Sequence, residues 1–176
     1  RDPAIHSSME VLLYPSFKVM IHYRLAHKLY VSGHYFWARY ISQRGVRKTG
    51  IEIHPGAQIG KGFFIDHGNG VIIGETTIIG DNVTLYQGVT LGALSTRKGQ
   101  QLANVKRHPT IRDNVTIYSN STVLGGETVV GENTIIGGNT FITESIPANT
   151  KVSAKSPELV IKKPKAQVSA TNVWEY

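Results

Sequence analysis

Branched aliphatic residues recur at every sixth position through much of this chain, and that period limits the folds it can adopt. An α-helix buries a residue about every 3.6 positions and a half-buried strand every second position, so neither produces a period of six. Four in-phase runs carry the repeat: Ile53, Ile59, Ile65, Val71; then Ile73, Ile79, Leu85, Leu91; then Ile111, Ile117, Val123; and Leu124, Val130, Ile136, Ile142.

A period of six fits a short strand followed by a corner, repeated three times in each triangular coil of about 18 residues. The aliphatic residue of each hexapeptide then points into the prism and stacks on its equivalent one coil away. In many hexapeptides the fifth position is small or branched: Ala57, Thr77, Val83, Val89, Val115, Ser121, Thr128, Thr134, Thr140. We therefore predict a mainly β fold, a left-handed parallel β-helix of hexapeptide repeats with an N-terminal α-helical segment.

Three segments follow from the pattern. Residues 1–49 form the helical segment, with helices predicted over 16–31 and about 34–46 and a break at Ser32-Gly33. Residues 50–159 form the β-helix domain, interrupted by a polar loop over 93–109 that leaves the prism; a loop of this length is usually functional. Residues 160–176 are polar and lysine-rich, and we expect a C-terminal tail.

Composition excludes several kinds of chemistry. The chain has no cysteine, which rules out disulfides, a cysteine nucleophile and thiolate metal sites. The net charge is +7, but the basic residues are scattered, so we expect no nucleic-acid partner. No segment reaches the roughly 18 consecutive apolar residues of a membrane helix, so we expect no membrane partner and a cytoplasmic location.

Polar residues that interrupt the repeat are the candidates for chemistry. Asp66-His67 follows a core isoleucine and precedes Gly68-Asn69-Gly70, a glycine-rich corner that lets a substrate approach the imidazole. Glu52 lies fifteen residues earlier, a little less than one coil, so we expect it near His67 on the adjacent coil. A carboxylate that accepts a hydrogen bond from one ring nitrogen leaves the other as a base. The competing interpretation is that His67 merely caps a turn.

The polar loop ends in Lys106-Arg107-His108-Pro109. A guanidinium suits bidentate binding of a carboxylate, and a second histidine can donate a hydrogen bond. The competing interpretation is a basic loop stiffened by proline. A zinc site would need three converging histidines, and His54, His67 and His108 are available in number, although their spacing does not obviously bring them together.

Several motifs, taken in order, resemble the serine acetyltransferases. They are Ile51-Glu52-Ile53-His54-Pro55-Gly56-Ala57, Ile65-Asp66-His67-Gly68, Gly74-Glu75-Thr76, Tyr86-Gln87-Gly88-Val89-Thr90-Leu91-Gly92 and Arg107-His108-Pro109. The helical segment also resembles that family at Arg1-Asp2-Pro3-Ala4 and Tyr23-Arg24-Leu25-Ala26-His27. The hexapeptides are common to many acyltransferases, whereas this combination of motifs is much more specific.

The resemblance implies transfer of acetyl from acetyl-CoA to the L-serine hydroxyl, as a step of cysteine biosynthesis, with acetyl-CoA as co-substrate and no metal required. It implies a homotrimer or a pair of trimers, with O-acetylserine sulfhydrylase as a protein partner in some relatives. The implied roles are a general base (His67) with its carboxylate partner (Glu52), a second active-site histidine supplied across a subunit boundary (His108), binding of the serine amino group (Asp2 and Asp66), binding of the serine carboxylate (Arg107), and contacts to the coenzyme (Gly92, Ala93 and Ser119).

The motifs also depart from the family. Gly92-Ala93 replaces the usual Gly-Gly, and Tyr118-Ser119-Asn120 replaces Gly-Ala-Gly, in regions that line the coenzyme groove of relatives. The chain has Trp174-Glu175-Tyr176 where some relatives carry a terminal isoleucine that docks into the sulfhydrylase. Three alternatives therefore stand beside the first: an acetyltransferase with another acceptor such as a sugar, a metal protein of the γ-class carbonic anhydrase type, and a non-catalytic or altered paralogue.

Overall fold

A computed structural model describes residue 7 and residues 9–95, 99–102 and 105–155 of the chain. Two α-helices come first, α1 (Pro15–Val31) and α2 (Tyr35–Thr49), and 3-10 turns lie at Glu10–Leu13 and Gly99–Leu102. Every strand in the described part pairs in parallel with strands from the neighbouring coils. The fold is the predicted left-handed β-helix with two helices before it.

The strands form three sheets, one for each side of the prism. Sheet one contains β1 (Glu52–Ile53), β4 (Ile72–Ile73), β7 (Thr90–Gly92), β10 (Thr122–Leu124) and β13 (Phe141–Ile142). Sheet two contains β2 (Gln58–Ile59), β5 (Ile78–Ile79), β8 (Thr110–Ile111) and β11 (Val129–Val130). Sheet three contains β3 (Phe64–Ile65), β6 (Thr84–Leu85), β9 (Thr116–Ile117), β12 (Ile135–Ile136) and β14 (Lys151–Val152).

The core consists of aliphatic columns that run along the prism axis. In sheet one Ile53 pairs with Ile73, Ile73 with Leu91, Leu91 with Val123, and Val123 with Ile142. These side chains are between 0% and 6% exposed, so each coil covers the apolar surface of the next. The small or branched residues of the fifth position are likewise buried.

The structure corrects one register in the prediction. The fourth run placed Leu124 in the core, but Val123 is fully buried while Leu124 lies on the partly exposed side opposite Gly92. The corner that follows has one extra residue, around Gly125, and so Val130 is again inward. Because Val123 and Leu124 are consecutive and both apolar, the repeat counted both as core positions and did not show that only Val123 faces inward.

Asparagine stabilises the corners between sheets two and three. Asn82, Asn114, Asn133 and Asn149 all adopt left-handed backbone conformations, with φ between 56° and 59°. Their side chains form a ladder in which each amide donates to the next carbonyl oxygen at 3.0–3.3 Å. Asparagine tolerates this conformation better than other residues with a Cβ, because its short amide can hydrogen-bond locally.

The helices pack against the first coils. Val19, Tyr23 and Ala26 of α1 are buried, and Tyr23 donates from its hydroxyl to the Ala57 carbonyl at 2.6 Å. Arg24 donates to the carbonyl oxygens of Ile59 and Gly60, so α1 is tied to the end of β2. In α2 the buried residues are small, which allows close approach to α1. No helix in the described part is long and apolar enough to cross a membrane.

Candidate active site

Two of the three corners of the prism carry the candidate residues. The first corner joins sheet one to sheet two and includes residues 54–57, 74–77, 93–95, 99–102, 105–109 and 125–128. The third corner joins sheet three to sheet one and includes residues 66–71, 86–89, 118–121 and 137–140. Because the coils stack in parallel, equivalent residues of successive coils form columns along each corner.

His108 lies in the first corner and is 8% exposed. Its Nδ1 accepts a hydrogen bond from the Thr76 N–H at 3.1 Å and lies 2.9 Å from the Thr76 hydroxyl. Its ring lies against Gly74, where an added Cβ would come within 1.9 Å of Cδ2. Burial and the nearby charge of Arg107 lower the pKa of His108 to about 4, so the ring is neutral at pH 7.

Arg107 forms an ion pair with Glu75 of the preceding coil. The other carboxylate oxygen of Glu75 accepts a hydrogen bond from the Tyr30 hydroxyl at 2.6 Å, which connects α1 to the corner. Burial pushes the pKa of Glu75 upward, but the hydrogen bonds from Tyr30 and Arg107 leave it lowered overall. Burial and the bond to Glu75 raise the pKa of Tyr30 to about 12. The guanidinium is therefore held by a carboxylate that stays ionised.

His54 occupies the same corner, one coil before Gly74. Its Nδ1 accepts from the Gly56 N–H at 3.0 Å, and Nη2 of Arg39 lies 2.8 Å from Nε2. Burial and the Arg39 charge lower the pKa of His54 to about 4. Within one copy of the chain the three histidines considered for zinc do not converge, because His54 and His108 lie in the first corner and His67 in the third. Within the described residues no cluster of three metal-ligating side chains forms.

Asp66 and His67 lie in the third corner, directly after β3. His67 adopts a left-handed conformation with φ of 57° and its side chain is exposed. Tyr86, in the Asp66 column one coil later, stacks on Tyr118, with ring centroids 4.8 Å apart and an interplanar angle of 20°. An exposed imidazole beside an aromatic stack is accessible to a substrate.

The coil between Glu52 and His67 is longer than expected. Glu52 pairs with Ile72, so this coil contains twenty residues, because the corner over 66–71 has two more than usual. His67 lies in that corner, which leads into the strand that stacks on Glu52. The segments do touch: an added Cβ at Gly68 would come within 2.6 Å of Ile51. In the described structure the carboxylate and the imidazole form no hydrogen bond with each other.

The residues expected to contact the coenzyme divide between the two corners. Gly92 ends β7 at the first corner and is followed by Ala93, and both are partly exposed. Ser119 lies in the third corner, and its carbonyl accepts from the Asn139 N–H at 2.9 Å. The Asp2 position lies outside the described residues.

Sequence reasoning missed three residues of the site. Glu75 and Thr76 were noted as part of a motif but given no role, although β5 pairs with β8 in a register that sets Thr76 beside His108. Counting hexapeptides across the polar loop would have aligned them. No sequence pattern marked Tyr30 as a site residue, because its contact with Glu75 depends on how α1 packs against the coils.

The comparisons with known proteins agree with the motifs. Serine acetyltransferase of Helicobacter pylori (strain ATCC 700392 / 26695) is 48% identical over 110 residues, covering 62% of this chain and 61% of the relative. That of Bacillus subtilis (strain 168) is 46% identical over 111 residues, covering 62% and 48%. This chain thus spans about half to three fifths of these relatives. No protein-family model matches it.

Two solved structures share the fold. Serine acetyltransferase isoform 3 of Entamoeba histolytica, solved in complex with cysteine, is 42% identical with a TM-score of 0.81, covering 92% of this chain and 56% of that one. The Neisseria gonorrhoeae enzyme, solved in complex with serine, is 32% identical with a TM-score of 0.79, covering 88% and 61%.

The chain has the architecture of the hexapeptide-repeat transferases, a triangular β-helix with polar groups at its corners. The sequence match covers 62% of the chain and the backbone match covers 92% of it. Among proteins of this architecture the chain is similar to the serine acetyltransferases, and the resemblance found in the sequence is confirmed.

Proposed function

We propose that this protein is a serine O-acetyltransferase, which transfers acetyl from acetyl-CoA to the hydroxyl of L-serine and releases CoA. One observation carries the proposal in detail: the acid–base groups are split between two corners, with Asp66 and His67 at one and Arg107 and His108 at the other. One six-residue side of the prism, at most about 20 Å long, separates those corners. A site that uses both sets therefore needs a second copy of the chain.

A closed ring of three copies satisfies this requirement, because the third corner of each copy can meet the first corner of the next. We infer a trimer, alone or as a pair of trimers, with one site at each boundary. The cytoplasmic location and the sulfhydrylase partner expected from the sequence stay predictions.

In the proposed reaction His67 takes the proton from the serine hydroxyl while its oxygen attacks the thioester carbonyl. The new C–O bond forms, the tetrahedral intermediate collapses with cleavage of the C–S bond, and the proton passes from His67 to the departing thiolate. Glu52 acts on His67 through a hydrogen bond that we expect in the assembled site. His108 donates to the carbonyl oxygen as it gains charge.

The remaining groups orient the acceptor. Arg107, restrained by Glu75, binds the serine carboxylate, and Asp66 binds the serine ammonium together with Asp2. Gly92, Ala93 and Ser119 contact the coenzyme. The roles of Arg107, Asp66 and Asp2 each pair a charged side chain with the opposite charge on L-serine.

The test is thiol release from acetyl-CoA with and without L-serine. We expect release that depends on serine and falls by about 10²–10⁴-fold in His67→Ala, the range for loss of a general base. His34→Ala, an exposed histidine at the start of α2, is the matched control and should retain wild-type activity. A sugar acceptor that outperforms serine would instead favour the alternative acceptor class.

Complementation tests the shared site. His67→Ala and His108→Ala should each be nearly inactive, yet their co-expression should restore about a quarter of the sites, because random assembly pairs the two intact corners at that frequency. No recovery in mixed oligomers, with each variant folded and trimeric, would contradict a site formed between copies.

A second candidate, a paralogue with altered coenzyme use, is favoured by the Tyr86–Tyr118 stack. The family pattern that the motifs resemble has glycine where this chain has Tyr118. Tyr118→Gly should lower the KM for acetyl-CoA if the stack obstructs the coenzyme. A chain that fails to bind CoA by calorimetry would favour the paralogue over the enzyme.

A further inference from the structure

The Thr76 hydroxyl is surrounded by the end of the polar loop. It accepts hydrogen bonds from the backbone N–H of Arg107 at 2.9 Å and of His108 at 3.0 Å. A hydroxyl has two lone pairs and a single hydrogen. Since both lone pairs are used by donors that cannot reverse, its hydrogen is directed to His108 Nδ1, 2.9 Å away.

The same ring nitrogen also receives the Thr76 N–H at 3.1 Å. A backbone N–H is always a donor, and a ring nitrogen that carries hydrogen cannot accept. Nδ1 of His108 is therefore unprotonated. In a neutral imidazole the remaining hydrogen must then lie on Nε2.

The surroundings of His108 keep the ring neutral. It is nearly buried and packs on Gly74, and both Arg107 and Lys106 lie close enough to oppose a positive charge. Glu75 acts in the opposite direction, but its charge is engaged by Arg107. His54, the other titratable ring in the corner, is itself held neutral. Among the described residues no group hydrogen-bonds Nε2, so its hydrogen is available to a ligand.

We propose that Thr76 is a positioning residue that fixes His108 as the Nε2–H tautomer, so that this histidine acts at the site as a hydrogen-bond donor. Which ligand atom the Nε2–H group contacts rests on the proposed function, whereas the tautomer itself does not depend on it. It separates the two histidines by role: His67 accepts a proton, and His108 gives a hydrogen bond to the thioester oxygen and keeps its proton.

The tautomer can be observed without an activity assay. The full chain is labelled with ¹⁵N-histidine, and two-bond ¹H–¹⁵N correlations are recorded between about pH 6 and pH 8, the range in which an ordinary histidine titrates. His108→Gln identifies the signals. We expect a pyridine-type shift for Nδ1 and a pyrrole-type shift for Nε2, unchanged across the range. A pyrrole-type Nδ1, or averaged shifts for the two nitrogens, would overturn the proposal.

Three variants then test the role of Thr76. Thr76→Val keeps the shape and the backbone N–H but removes the hydroxyl, one of the two donors to Nδ1 of His108. We expect a minor population of the Nδ1–H tautomer to appear and kcat to fall about tenfold, with KM for serine nearly unchanged. Thr76→Ser should restore both the tautomer and kcat. Thr84→Val, an outward threonine of sheet three, is the control and should change neither.

The outcomes separate the two proposals. A wild-type tautomer and kcat in Thr76→Val would refute the positioning role even with serine-dependent turnover intact. If turnover with serine is absent but the Nε2–H tautomer is found and is partly lost in Thr76→Val, the proposed function fails while the positioning role of Thr76 stands. If Thr76→Val does not fold, the wild-type spectrum and Thr76→Ser decide the question.

Discussion

Replacing Gly74 with alanine tests the packing of the first corner directly. The added Cβ would lie 1.9 Å from Cδ2 and 2.2 Å from Nε2 of His108. Because an ordinary carbon contact is about 3.5 Å, the ring must retreat by about 1.5 Å. The movement is resisted by Thr76, which holds the opposite side of the ring at Nδ1.

The size of the effect follows from that displacement. Overpacking of a filled site costs about 1–3 kcal/mol of unfolding free energy. A misplacement of about 1 Å in a catalytic group can cost about 10²-fold in rate. We therefore expect Gly74→Ala to lose about 1–3 kcal/mol and about 10²-fold in kcat/KM for serine.

A double-mutant cycle isolates the clash, because the three atoms nearest the new Cβ all belong to His108. Urea unfolding is measured for Gly74→Ala, for His108→Ala and for the double variant. In the His108→Ala background the Gly74 change should cost little, which gives a coupling energy of about 1–3 kcal/mol. Equal costs in both backgrounds, or wild-type kcat/KM in Gly74→Ala, would refute the packing argument.

Three further predictions concern neighbouring features. Burial and adjacent positive charge lower the pKa of His108 and His54 from 6.5 to about 4, so the unfolded chain binds protons that the folded chain does not. The unfolding free energy should then fall as pH drops from about 6.5 to about 4, less steeply in His108→Gln, and a pH-independent value would contradict this. Tyr30→Phe removes the hydrogen bond to Glu75 and should raise the KM for serine about two- to tenfold with little change in kcat; an unchanged KM would show that α1 does not support the site. Asn114→Ala should lose about 1–2 kcal/mol in urea unfolding because of its left-handed backbone, and Asn114→Gly should lose less; equal losses would rule out backbone strain as the cause.

The repeat could be predicted from the sequence because its signal is local. Each hexapeptide places one aliphatic residue inward, and Ile53, Ile59 and Ile65 are enough to reveal the period. The motif residues His67 and Arg107 also stand out, since they interrupt the pattern of aliphatic and small residues. What the pattern could not decide was the length of each corner. The two extra residues after Ile65 lengthened the coil between Glu52 and Ile72 to twenty residues, and the extra residue near Gly125 let Val123 and Val130 both face inward while Leu124, counted as a core position, does not.

The amino-acid sequence by itself determined the winding of the chain, the columns of the core and the identity of the polar corner residues, because these depend on a repeated pattern of burial. The tertiary structure decided which corner residues meet. It joined Thr76 to His108 across 32 positions and Tyr30 to Glu75 across 45, contacts that arise from stacking of coils and packing of a helix. The Thr76–His108 contact can be found in the sequence only by aligning the hexapeptides on either side of the polar loop. The Tyr30–Glu75 contact leaves no periodic trace, because it depends on how a helix packs against the coils.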